Sequence, residues 1–254
     1  MRARPLSVFI AAATFALSFA AFAQEGSREG SLAQMQRQEI EQLIREYIRD
    51  NPEIILEAIQ TLQAREEANQ KRRQQEALAS LRSDIEQSPD SPVIGNSAGD
   101  VTVVEFFDYR CSYCKSMLPA VQRLLKDDPK VRYVMKEFPI LSPESRIAAQ
   151  LALAVWRLEP KRYFDLHGKL MGARGELTER RIFEIARDAG VNVERARHEM
   201  TDAGIERELT QNRELATALG ITGTPGFVIG NQLIPGAISI EKLKQAIAEA
   251  RRAG

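Results

Sequence analysis

Two cysteines lie three positions apart and are the only cysteines of the chain, Cys111 and Cys114. A disulfide between them would close a very small ring, and the stabilisation that a cross-link provides grows with the loop that it closes. A structural role is therefore a weak explanation of the pair. A thiolate with a second thiol one helical turn away is suited to disulfide exchange, in which one sulfur attacks and the other resolves the mixed disulfide.

The same spacing also occurs in metal sites, where a Cys-x-x-Cys pair supplies half of a zinc site or holds copper(I). Tetrahedral zinc needs two more ligands, and the chain has only two histidines, His167 and His198. Both fall in segments with helical periodicity, and we expect both to be ordinary helix-surface residues. Zinc is therefore disfavoured, while copper(I) held by the two thiolates stays open as an alternative.

The cysteines are predicted to lie where a strand gives way to a helix. Residues 101–107 are β-branched and aromatic, which indicates a buried strand. Residues 114–125 have the apolar spacing of a helix. Backbone N–H groups at a helix start lack partners and carry partial positive charge, which favours a thiolate there. We therefore expect Cys111 to attack and Cys114 to resolve.

The rest of the globular part is predicted to be α/β. The region from 142 to 219 shows repeated helical periodicity without a convincing strand, which indicates a helical insertion. Gly230-Asn231 is a two-residue hairpin turn signal. The remaining predicted elements are a strand at 131–135, two hairpin strands at 227–229 and 232–234, and a closing helix at 240–250.

The first residues predict export. Two arginines precede an apolar run from Leu6 to Phe22, and Ala21-Phe22-Ala23 is the small-x-small pattern of a cleavage site. The run is short for a membrane span. We therefore expect residues 1–23 to be a cleaved signal peptide and the mature protein to be periplasmic. The formal net charge is zero, so nothing indicates a nucleic-acid partner.

The segment 24–87 is rich in Glu, Gln and Arg and is predicted to be a helical stalk. Asn51-Pro52 interrupts it, because proline disfavours helix at the residue before it and suits a new first turn. Turn formers between residues 88 and 100 mark the start of a globular domain, 88–254. The first stalk helix has an apolar stripe: Leu32, Met35, Ile40, Leu43, Ile44, Tyr47 and Ile48.

Three separated motifs resemble the DsbA-like thioredoxin-fold oxidoreductases, over roughly residues 90 to 250. Val104-Glu105-Phe106-Phe107 leads into Cys111-Ser112-Tyr113-Cys114, the predicted insertion follows, and Gly223-Thr224-Pro225-Gly226 comes last. The resemblance implies a thioredoxin fold with a helical insertion at about 142–219. It implies a redox-active Cys111–Cys114 disulfide with no other cofactor, exported cysteine-containing substrates, and a membrane or periplasmic redox partner.

The resemblance also implies roles for single residues. Pro225 would follow a cis peptide bond and face the cysteine pair, which leaves backbone groups free to hold an extended peptide. Glu105 would help proton transfer around the buried resolving thiol, as a buried carboxyl with a raised pKa can. The alternative is a Glu105 side chain turned towards solvent. Lys136, near the end of the second strand, is a candidate partner for Glu105.

Differences from the oxidising DsbA proteins indicate whether the chain is an oxidase, an isomerase or a reductase. Those usually have Pro-His between the cysteines, whereas Ser112-Tyr113 lacks an imidazole, and Thr224 before Pro225 is similar to isomerase and reductase members. The stalk resembles the trimerising stalks of ScsC-like proteins, and an exposed apolar stripe usually finds a partner. We expect a homotrimeric isomerase or reductase. The alternatives are a DsbA-type oxidase, a copper(I)-binding copper-tolerance protein, and a stalk that folds back on its own domain.

Overall fold

The computed structural model describes residues 34–253. The expected signal peptide, residues 1–23, and the first part of the expected stalk lie outside the described residues. The chain divides into two compact units after Ala68. No helix in the described range is long and apolar enough to cross a membrane.

The described part of the first unit is helical. Helix α1 occupies residues 34–50, and helix α2 spans Glu53–Ser80. The interruption predicted at Asn51-Pro52 is confirmed, with the Asn51 backbone N–H still donating to the Tyr47 carbonyl at 2.9 Å. In the described part of this unit ten large apolar side chains are exposed: Met35, Ile40, Leu43, Ile44, Tyr47, Ile48, Ile55, Leu56, Ile59 and Leu62.

The second unit is built on a five-stranded sheet with the order β1-β3-β2-β4-β5. β2 and β3 are parallel, and the other neighbours are antiparallel. The hairpin predicted at Gly230-Asn231 joins β4 and β5. The strands are β1 Val93–Gly95, β2 Val101–Phe107, β3 Val131–Glu137, β4 Gly226–Ile229 and β5 Gln232–Pro235.

Helices cover both faces of this sheet. The predicted insertion contains five of them and no strand, and every residue from 142 to 219 is described. Asparagine, serine, threonine and aspartate side chains cap four of these five helices, which satisfies their first free N–H groups. The helices are α3 Arg82–Glu86, α4 Ser112–Asp127, α5 Pro143–Leu158, α6 Pro160–Met171, α7 Glu179–Asp188, α8 Val193–Glu199, α9 Ala203–Leu219 and α10 Ile240–Ala253.

The end of the predicted stalk, residues 69–87, belongs to the second unit and packs against its sheet. Leu78 and Ile85 are buried in a cluster that also contains Leu219, and the Gln74 side-chain amide donates to the Leu219 carbonyl at 3.1 Å. The sequence predicts a helical stalk up to residue 87 and a solvated helix from Gln63 to Arg82, because that stretch is nearly all polar. A few well-spaced apolar side chains are enough to hold this segment against the sheet.

Lys136 does not pair with Glu105. The parallel register places Lys136 opposite Phe106, and neighbouring residues of a strand point to opposite faces of the sheet. The Lys136 ammonium is buried, lies 3.8 Å from a Glu208 carboxylate oxygen and donates to the Asp84 carbonyl at 3.0 Å. The hydroxyl of Ser91 donates to Glu208 at 2.6 Å.

This buried ion pair predicts a large asymmetry between core and surface substitutions. Lys136→Ala leaves the Glu208 carboxylate buried without its cation, and we expect the free energy of unfolding to fall by about 3–5 kcal/mol. Arg180→Ala breaks the exposed pair with Glu184, for which we expect a loss below about 1 kcal/mol. Urea unfolding of both variants is the measurement. Equal losses would contradict the role of the buried pair.

Candidate active site

The Cys111 sulfur lies between the start of a helix and a loop from the far end of the chain. Cys111 caps α4, and its sulfur accepts a hydrogen bond from the Cys114 backbone N–H at 3.3 Å. The Cys111 thiol donates to the Thr224 carbonyl at 3.1 Å. Both cysteines are free thiols. The predicted position of Cys111 at the first turn of a helix is confirmed.

Asp108 fixes the loop that leads into Cys111. One carboxylate oxygen accepts from the Arg110 backbone N–H and the Ser145 hydroxyl, both at 2.7 Å. The other accepts from the backbone N–H groups of Ile140 and Leu141 at 2.9 and 3.0 Å. Three of these hydrogen bonds tie the loop before Cys111 to the segment that leads into α5, and the fourth, from Arg110, holds the loop itself. The sequence analysis missed Asp108, although a carboxylate directly after an apolar strand was a usable signal.

The loop opposite the cysteines contains the predicted cis bond, between Thr224 and Pro225. Next to it runs a groove of about 310 Å³ without a charged side chain in its lining. Tyr113 stands at its side and is 66% exposed. The groove is lined by Tyr113, Gly220, Ile221, Thr222, Gly223, Thr224, Pro225, Gly226, Leu233, Pro235 and Gly236. Its floor and walls are apolar or backbone, which suits an extended peptide segment.

The second cysteine is in a different environment from the first. Cys114 is buried, and burial raises the pKa of its thiol, with the nearby Glu105 carboxylate raising it further. A thiol in such a site keeps its proton unless a base removes it. Both thiols are buried, but only the Cys111 sulfur contacts the loop of Thr224, whereas the raised pKa of Cys114 keeps that inner thiol protonated.

Glu105 is buried rather than turned to solvent, so the alternative of an outward side chain is wrong. Burial raises the pKa of Glu105 to about 7, against the opposing effect of a hydrogen bond from the Tyr133 hydroxyl. That hydroxyl donates to the carboxylate at 2.7 Å. A carboxyl that is partly ionised near neutral pH can both accept and return a proton.

The two histidines differ in their surroundings. His198 is exposed on α8, as expected, but the expectation of a surface position is wrong for His167. His167 lies on the apolar side of α6 with Tyr163 and Leu170, where burial lowers its pKa to about 3. Within residues 34–253, no group of three or more His, Cys, Asp or Glu residues is arranged to hold a metal ion.

The raised pKa of Glu105 predicts a pH-dependent stability. The folded state holds this proton more tightly than the unfolded chain, so the stabilisation is complete below about pH 4.5 and is lost as the pH rises through about 7. The loss is on the order of 2–3 kcal/mol. Glu105→Gln keeps an acceptor for Tyr133 but cannot ionise, so it should remove this loss.

The measurement is urea unfolding of the reduced protein at about pH 5 and about pH 8. Relative to wild type, the free energy of unfolding of Glu105→Gln should be higher at about pH 8 than at about pH 5, by roughly 2–3 kcal/mol. Glu214→Gln, at an exposed position of α9, is the matched control and should show no such difference. A wild-type protein and Glu105→Gln variant with parallel pH profiles would contradict the assignment.

Comparison with known proteins places this architecture in a family. Residues 102–248 match the DSBA-like thioredoxin domain, and residues 36–69 match the copper resistance protein ScsC N-terminal domain. A thioredoxin-like oxidoreductase from Silicibacter pomeroyi DSS-3 is 40% identical, with a TM-score of 0.66 over 68% of this chain and 99% of that chain.

Longer similarity is found to Proteus mirabilis ScsC in a transitional conformation, which is 32% identical, with a TM-score of 0.66 over 86% of this chain and 98% of that chain. The thiol:disulfide interchange protein DsbA of Bordetella pertussis is 28% identical over 56% of this chain and 68% of that protein.

The chain also matches two Salinispora Na⁺/H⁺ antiporters, of whose length it spans 24%. The family match covers more than half of the chain and includes both cysteines and the Thr224-Pro225 bond. The chain therefore belongs to the DSBA-like thioredoxin domain family and is a thiol-disulfide oxidoreductase.

Proposed function

We propose that this protein is a periplasmic disulfide isomerase or reductase of exported proteins, with Cys111 as nucleophile and Cys114 as resolving cysteine. The observation that carries the proposal is the position of the Cys111 sulfur. It lies beside the carbonyl of Thr224, a residue that also lines a groove without a charged side chain. An extended segment of a substrate with a disulfide fits such a groove by apolar contacts and by pairing with exposed backbone groups.

The reaction starts when the Cys111 thiolate attacks one sulfur of a substrate disulfide. The substrate S–S bond breaks, a mixed disulfide with Cys111 forms, and the other substrate sulfur leaves as a thiolate. In isomerisation, a different substrate thiolate attacks the mixed disulfide and releases Cys111 unchanged. In reduction, the Cys114 thiolate attacks the Cys111 sulfur, the substrate leaves as a dithiol, and a reducing dithiol partner later returns two electrons to the Cys111–Cys114 disulfide.

The second attack requires that Cys114 lose its proton. Cys114 is buried and close to Glu105, and burial raises the pKa of both groups. Glu105 accepts the Cys114 proton during the attack and returns it when the partner regenerates the dithiol. Tyr133 holds the carboxyl in place through its hydroxyl. Ser112 and Tyr113 form the first turn of α4, and neither can place a positive charge beside Cys111, which favours isomerase or reductase chemistry over strong oxidation.

Copper(I) binding by the two cysteines is the second candidate. It is favoured by the match of residues 36–69 to a domain described from a copper resistance protein. Thiolates are the soft ligands that copper(I) prefers. Metal analysis of protein purified under reducing conditions, with copper(I) added and then dialysed, separates this candidate from disulfide exchange. Retention of one copper per chain that depends on both cysteines would support it.

The exposed apolar residues of the first unit support self-association. Ten large apolar side chains of α1 and α2 are exposed in the single chain, and such a surface normally marks an interaction site. The match to the ScsC N-terminal domain runs from residue 36 to 69 and includes all of these side chains except Met35. We propose that this face joins copies of the chain into a homotrimer, which would present several redox centres to one misfolded substrate.

The cysteine roles predict distinct outcomes for two substitutions. Cys111→Ala should lower the recovery of activity from a scrambled multi-disulfide substrate to the uncatalysed rate, because the thiol that attacks the substrate is removed and the buried Cys114 cannot replace it. Cys114→Ala should still form mixed disulfides but release reduced substrate slowly, so covalent complexes accumulate on non-reducing gels. Ser116→Ala, on the same helix, is the control. A Cys111→Ala variant with wild-type recovery would refute the proposed function.

The proposed association predicts a sensitive helix face. Leu43→Glu places a charge on the apolar face of α1, and we expect the mass in light scattering to fall from that of a trimer to that of a monomer. Gln38→Glu adds the same charge at another exposed position of α1 and should leave the mass unchanged. A monomeric wild-type protein would overturn the homotrimer.

A further inference from the structure

A buried carboxyl outside the proposed chemistry holds two tyrosines at once. Glu137 is the last residue of β3, and its side chain is fully buried. One of its oxygens accepts hydrogen bonds from the hydroxyls of Tyr109 and Tyr163, at 2.9 and 3.0 Å. The other oxygen has no hydrogen-bond partner among the described residues.

Within the described part of the chain, Glu137 has no compensating cation beside it. Burial raises the pKa of Glu137 well above its ordinary value, and the carboxylates of Asp108 and Glu208 raise it further. His167, the imidazole of this cluster, approaches Tyr109 rather than Glu137, with its Nδ1 3.3 Å from the hydroxyl oxygen. Burial keeps His167 neutral by lowering its pKa to about 3. Glu137 therefore acts as a hydrogen-bond acceptor for the two tyrosines and not as a partner in an ion pair.

The two tyrosines belong to different parts of the second unit. Tyr109 lies in the loop between β2 and α4, two positions before Cys111, whereas Tyr163 lies on α6 in the helical insertion. The rings of Phe107 and His167 pack on Tyr109 with centroid distances of 5.3 and 5.5 Å. A single oxygen of Glu137 thus connects the end of β3, the loop of the nucleophile and the insertion.

We propose that Glu137 is a positioning residue of the redox centre, which through Tyr109 holds the turn that presents the Cys111 sulfur to Cys114 and Thr224. The inference rests on the proposed disulfide exchange at Cys111. The Asp108 carboxylate accepts from the Arg110 N–H within this turn and from three groups of residues 140–145, and Tyr109 anchors the turn from the core side.

The position of the turn affects the equilibrium between the Cys111–Cys114 disulfide and the dithiol, because the two forms differ in geometry. The disulfide requires the two sulfurs at about 2.0 Å. In the dithiol, the Cys111 sulfur instead bonds to the Cys114 N–H and the Thr224 carbonyl. An anchor on the turn therefore shifts the equilibrium between the forms, whereas a hydrogen bond elsewhere stabilises both forms alike.

Tyr109→Phe and Tyr163→Phe are a matched pair, because each deletes one buried hydroxyl from the same acceptor oxygen. We expect both to lower the Tm by a similar few degrees. Only Tyr109→Phe should change the equilibrium constant with glutathione, by roughly threefold to tenfold, and the rate at which iodoacetamide alkylates Cys111. Glu137→Gln keeps an acceptor oxygen and should leave the equilibrium constant within about twofold of wild type.

The outcomes separate this inference from the proposed function. A wild-type protein that does not exchange thiols with glutathione would refute the proposed function itself. If wild type exchanges normally, the positioning role is overturned by an unchanged equilibrium constant in Tyr109→Phe, or by equal changes in Tyr109→Phe and Tyr163→Phe. A folded Glu137→Gln that shifts the constant as far as Tyr109→Phe does would also overturn it.

Discussion

The contact between the Cys111 sulfur and the Thr224 carbonyl is the constraint that the rest of the second unit serves. It joins residues 113 positions apart in the chain. Antiparallel pairing of β2 with β4 brings the two segments to the same end of the sheet. The carboxylate of Asp108 holds the cysteine loop from the side of α5. Cys111 therefore takes its position from three elements that are remote from one another in sequence.

Features with a local cause could be predicted from the sequence. The change from a β-branched run to helical spacing placed Cys111 at a helix start, and Gly230-Asn231 located the hairpin, because both signals lie within a few neighbouring residues. The cis bond before Pro225 followed from the family resemblance. The apolar stripe of α1 could also be predicted, because helical periodicity shows which side chains lie on one face of a helix, whether or not another element covers that face.

Features that depend on strand register or on tertiary packing could not be predicted. Lys136 was assigned to Glu105, but the parallel pairing of β2 and β3 places it on the opposite face with Glu208. His167 was assigned to a surface, although its helix turns it into an aromatic core. The sequence does not predict β1, because a strand of three residues is too short to show an alternation of apolar and polar side chains. Glu137 gave no signal, since its two tyrosine partners are distant in sequence.

The strand order also determines when the redox centre can form during folding. β2 and β3 are close in sequence, but β4 reaches β2 only after the whole segment of α5 to α9 has been bridged. The helices of that segment rest on local contacts, whereas the pairing of β2 with β4 closes a long loop, which is the slower kind of event. A chain that ends before β4 contains both cysteines but lacks the Thr224 loop that contacts Cys111. The two thiols of a partly synthesised chain can therefore react before the complete site has formed around them.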